Sequence, residues 1–207
     1  MCLFTFTSAY LQSELNQLKS LFSLKLGWGT GSKKEIWLWT AFMTIEPIGS
    51  VIGASLAGNV LVYGRRKALY LVICCFLLSY IFSQLMGFWW QMASRVVVGL
   101  GIGLNAVTVN RYVEEYVPLV MFGTAMPFNT FMGKFGSFLA IMSAVVLPPA
   151  KSDPDVVQES SAWRIICLLV VVWLLVALLG LCCCVKHESP KFHVHKGDLV
   201  AAVKAVH

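Results

Sequence analysis

Charged residues make up 13% of this 207-residue chain, so those placed inside apolar runs stand out. Glu46, Arg95 and Lys134 are such residues. A carboxylate and a guanidinium can satisfy one another through a charge-assisted hydrogen bond. An unpaired Arg at the centre of a membrane helix costs roughly 2.5–3.5 kcal/mol on insertion scales. Glu46 is the carboxylate well inside an apolar run, so it is the expected partner of Arg95. The alternative is that each side chain snorkels to an interface alone. Lys134 has either a polar cavity to line or an interface for its stem to reach.

No nucleophile–base pair, metal-ligand cluster or phosphate loop occurs with suitable spacing, so the chain is not expected to be an enzyme and needs no cofactor or metal. The glycines at 101 and 103 lie inside an apolar run and read as packing residues, not as a nucleotide loop. The seven cysteines lack the spacing of a zinc site or a disulfide framework. They read as small apolar residues, with palmitoylation of Cys182 to Cys184 as the minority alternative.

The elements that must position these groups follow from composition. Hydrophobic residues are 58% of the chain and mean hydropathy is +0.75, against about 45–50% apolar and about 25% charged in a soluble domain. This excludes a disordered chain, a nucleic-acid-binding tail and a typical soluble enzyme. A membrane span takes about 20 residues, so at most about six fit. Apolar runs predict full spans at about 36–63, 68–86, 91–113, 119–147 and 163–185. Residues 1–11 are apolar but short, like the remains of a helix, and 12–26 read as an amphipathic surface helix. The expected organisation is an incomplete first helix and loop over 1–35, a helical bundle over 36–185, and a basic tail over 186–207. Small residues at Gly49, Gly53 and Gly58, and again at Gly99, Gly101 and Gly103, predict close helix packing.

Charge placement orients the chain. Arg65, Arg66, Lys67, Arg111 and the tail lysines fall on one side, with Asp153, Asp155 and Glu159 on the other. The positive-inside rule makes the first side, and the tail, cytoplasmic. The expected placement is a multi-pass integral membrane protein in contact with lipid.

Residues 95–118 read RVVVGLGIGLNAVTVNRYVEEYVP. Arg95, Gly99, Gly101 and Gly103, followed by Tyr112, Glu115 and Pro118, resemble the sugar porter family of the major facilitator superfamily. There the fourth helix carries R-x-x-x-G-x-G-x-G, and P-x-Y-x-x-E-x-x-P follows. Gly64-Arg65-Arg66, the set Gly123, Asn129 and Gly136, Trp163-Arg164 and Glu188-Ser189-Pro190-Lys191 match further motifs in order. The resemblance implies an all-α membrane fold, with the five spans corresponding to helices two to six of a twelve-helix transporter. It implies alternating access and transport of a hexose or related small polar solute, with the plasma membrane as the family's default location. It places Arg65, Arg66, Glu115 and Glu188 in a cytoplasmic gating network, and Asn129 and Thr130 at the substrate.

The sequence also departs from the pattern. Phe122 replaces an arginine of the gate, Thr130 replaces a glutamine that bonds sugar hydroxyls, and Asn110 replaces a proline. No family motif places a lysine at 134. The chain is therefore expected to be incomplete as a transporter by itself, with a C-terminal transporter half or another membrane subunit as partner. The alternative is a non-transporting subunit that packs helices against another membrane protein.

Overall fold

The computed structural model describes residues 2–17, 33–85, 87–143 and 162–184. These form six helices: α1 (Cys2–Gln17), α2 (Lys33–Val62), α3 (Arg65–Gln84), α4 (Phe88–Tyr116), α5 (Leu119–Ser143) and α6 (Ala162–Cys184). Among the described residues, α2, α3 and α4 are long and apolar enough to cross a membrane. Their outer faces present large apolar side chains: Trp37 is 76% exposed, Val51 68% and Ile81 56%. Such a surface suits a hydrocarbon solvent, in which helices satisfy every backbone group internally.

Several boundaries differ from the sequence reading. α1 does not stop near Leu11 but continues to Gln17 as one helix. No Gly or Pro interrupts it, so nothing in the backbone favours a break there. It buries Phe4, Phe6 and Tyr10 in the bundle core. The remainder of the expected amphipathic helix lies outside the described residues. Arg65 to Lys67, read as a connection, form the first turn of α3. Gly64 makes the tight joint possible: its φ of 131° lies in a region closed to side-chain-bearing residues. Phe88 to Trp90, left between the second and third expected spans, instead open α4, with Gly87 as its cap.

Packing follows the glycines. α2 packs chiefly on α4, α1 on α5, and α3 on α4. At the α2–α4 crossing, a Cβ on Gly99 would collide with the Glu46 carbonyl, and one on Gly103 with the Ser50 carbonyl. Gly49 and Gly53 meet the α4 backbone at Val96 and Leu100 in the same way. Residues four apart share a helix face, so Gly49/Gly53 and Gly99/Gly103 form one facing set. Gly101, two residues on, turns to α3 and lies under the Phe76 ring. Gly58 does not belong to this packing set, because among the described residues nothing lies within 4 Å of a Cβ placed there. It is five residues past Gly53, about 140° around the helix at 3.6 residues per turn. The α1–α5 crossing repeats the device: Gly136 sits against the Phe6 backbone and Gly133 against Thr5.

Candidate functional site

The close α2–α4 crossing brings Glu46 and Arg95 together. Arg95 Nη1 donates to Glu46 Oε2 at 2.5 Å. The side chains are 0% and 6% exposed, and the Phe42 ring covers the guanidinium with its centroid 4.4 Å away. The pair needs the glycines: Gly99 admits the Glu46 backbone one turn above Arg95. Pro47 follows directly and removes the N–H that would bond the Met43 carbonyl. A buried charge is tolerable when its partner is also buried and well placed, and the ring adds a cation–π contact.

A second ion pair joins the end of α4 to the start of α3. Arg65 Nη2 donates to Glu115 Oε1 at 2.8 Å, and its Nε to Oε2 at 3.1 Å, a forked arrangement. Each residue has the wrong sign for its own helix end, since cations are disfavoured at an N-terminus and anions at a C-terminus. Pairing across the two ends offsets both. Arg66 does not join Glu115. It donates to the Tyr70 hydroxyl at 3.3 Å and lies over that ring. Arg111 pairs with Glu114 on the exposed face of α4, at 3.1 Å. Glu188 lies outside the described residues.

A polar cleft of about 310 Å³ opens between α1, α4 and α5. That size falls at the lower end of the range of about 300–1,000 Å³ for small-molecule sites. Asn129, Thr130 and Lys134 of α5 line it, together with Thr5 and Ser8 of α1 and Asn105 of α4. Asn129 is buried, and its Oδ1 accepts from the Thr5 hydroxyl at 2.8 Å. Asn105 donates to Ser8 Oγ at 3.1 Å, and Ser8 donates in turn to the Thr5 carbonyl at 2.9 Å. Thr130 donates to the Met126 carbonyl of its own helix at 3.2 Å, leaving its oxygen lone pairs to accept. Buried Asn105 Oδ1 has no hydrogen-bond partner among the described residues. Lys134 makes no ion pair among them, and none of the residues lining the cleft is acidic.

Sequence reasoning found Asn129, Thr130 and Lys134 but missed Thr5, Ser8 and Asn105. The signal for Asn105 was present: a buried amide inside an apolar helix must find a partner. Thr5 and Ser8, three apart on one helix face, carried a weaker one. Among the described residues no group of His, Cys, Asp and Glu is arranged to hold a metal ion.

Comparison with known proteins places the fold. The sequence model of the family described as "Sugar (and other) transporter" matches residues 2–207. This chain belongs to that family. It is 28% identical to hexose transporter 1 of Plasmodium vivax (strain Brazil I), over 98% of this chain and 42% of the relative. It is also 28% identical to the human proton myo-inositol cotransporter, over 78% of this chain and 24% of that protein. The inward-open xylose transporter XylE from E. coli superposes with a TM-score of 0.81 at 19% identity, covering 98% of this chain and 50% of that one. The chain thus spans less than half the length of the hexose transporters it matches. It is an integral membrane protein with the helical fold of the N-terminal half of a major facilitator sugar porter.

Proposed function

We propose that α1 to α6 form one wall of a solute path for a hexose or a related small polyol, and that α5 and α6 span the membrane with α2 to α4. The polar cleft between α1, α4 and α5 carries this reading. A bundle whose outer surface is apolar has no structural need for a concave row of amides and hydroxyls. Asn129, Thr130 and Asn105 supply the donors and acceptors that a polyol requires. The relatives' names give the solute class: hexose for the Plasmodium proteins and myo-inositol for the human one.

The opposite wall comes from a second helical half, in keeping with carriers that rock two halves around a midplane site. Arg65–Glu115 is a latch within this half. It holds the ends of α3 and α4 together in one state and yields in the other, and Phe122 gives that latch one cation fewer than the family pattern. Arg65, Arg66 and Lys67 put the latch on the cytoplasmic side, with the C-terminal tail. The plasma membrane, by family default, is the proposed location.

Radiolabelled hexose uptake into vesicles holding this chain, alone and with a second transporter half, tests the reading. Saturable uptake that competes with unlabelled sugar in either preparation supports it. Absence of uptake in both, with co-purification of one fixed membrane partner, overturns it in favour of a non-transporting subunit.

A further inference from the structure

Lys134 is the cleft's one charged lining residue, and the site reading above leaves it without work. It lies on α5 one turn beyond Thr130, and residues four apart share a face, so it belongs to the same wall as the amides and hydroxyls. A neutral polyol needs hydrogen-bond donors and acceptors but no fixed charge. Lys134 is exposed at the cleft, and an ionisable residue on a spanning helix marks an ion or substrate path by default. Here the lining supplies no carboxylate to neutralise it.

Resting on the solute-site reading, we propose that this cleft takes a sugar acid, a small polyhydroxylated monoanion whose carboxylate sits at Lys134. The lining fits both ends of such a molecule. Lys134 offers three N–H donors and a full positive charge to the carboxylate. Asn110, exposed where it lines the cleft, offers its amide oxygen to a hydroxyl. Thr130 Oγ1, whose proton is committed to Met126, accepts from another. A sugar phosphate fits less well: a phosphate group carries a charge of about −1.5 to −2 at neutral pH, and the lining provides one cation. The departure at Thr130 agrees with this, since a shorter side chain leaves room for a solute held from its charged end.

The test is equilibrium binding of tritiated D-glucuronate and D-glucose to the full chain in lipid nanodiscs. A hydrogen bond to a charged group gives an advantage of about tenfold or more, so glucuronate should bind at least about tenfold tighter than glucose. Lys134→Met should bring the two affinities within about twofold of each other, whereas Lys134→Arg should keep the preference. Monodisperse elution and unchanged helicity establish that both variants fold. Glucose binding as tightly as glucuronate overturns the sugar-acid inference and leaves the solute site standing. So does a glucuronate preference that survives Lys134→Met, which is the result expected if a different cation holds the carboxylate. Tighter binding of glucose 6-phosphate than of glucuronate also overturns it. Failure of every ligand to bind overturns both the inference and the site on which it rests.

Discussion

Removing the Glu46 carboxylate should damage this bundle more than removing any other single charge described. In Glu46→Gln the guanidinium of Arg95 stays where it is, 0% exposed, at a glycine-tight crossing with no route to water. A guanidinium cannot shed its charge in a protein. Breaking one side of a buried pair costs about 3–5 kcal/mol. At about 2–4 °C per kcal/mol for a chain of this size, the melting temperature in detergent should fall by about 6–20 °C. The converse variant, Arg95→Met, leaves a carboxyl that can take up a proton and become neutral, so its loss should be smaller. The double variant Glu46→Gln/Arg95→Met should be more stable than Glu46→Gln alone. Thermal unfolding followed by circular dichroism measures all three. If the two single losses simply add, within about 0.5 kcal/mol, the residues are not coupled and the buried-pair account is wrong.

The remaining predictions use the same geometry. Gly99→Ala places a Cβ against the Glu46 carbonyl and should cost about 1–3 kcal/mol by overpacking. Gly58→Ala, beside open space, should be neutral or stabilising by up to about 1 kcal/mol, and thermal unfolding separates the two. Arg65→Ala should cost about 1.5–3 kcal/mol by stranding Glu115, and the charge-reversed pair Arg65→Glu/Glu115→Arg should recover part of that in the same assay. Phe42→Leu keeps the apolar packing but removes the ring over Arg95, so it should cost about 0.5–2 kcal/mol, less than Phe42→Ala.

Much of this architecture can be read from the residue order, and the exceptions have physical reasons. Long apolar runs dictate helices because lipid leaves backbone groups no other partner. The four-residue spacing of Gly49 and Gly53, and of Gly99 and Gly103, predicts a close crossing. A deeply placed acid in one of the paired helices and a deeply placed arginine in the other predict one another. Gly58 shows the limit of that logic: small residues in one run look alike until their angular positions are set against a partner helix. Arg66 shows another, since adjacent arginines point about 100° apart and only Arg65 reaches Glu115. The Thr5–Asn129 and Ser8–Asn105 contacts join residues separated by 124 and 97 positions. Nothing local in the sequence announces them. The continuation of α1 past Leu11 was hidden for a simpler reason: hydropathy falls there while helix propensity does not.

The polar cleft between α1, α4 and α5 is the central claim, and solute protection of a thiol inside it is the most direct test. Ser137 lines the cleft. With the seven native cysteines replaced by serine, Ser137→Cys offers a single site for a water-soluble maleimide. The claim predicts that the maleimide reacts there, and that excess D-glucose or D-glucuronate slows the reaction while an excess of an unrelated solute of similar size does not. Equal labelling rates with and without either sugar would contradict it.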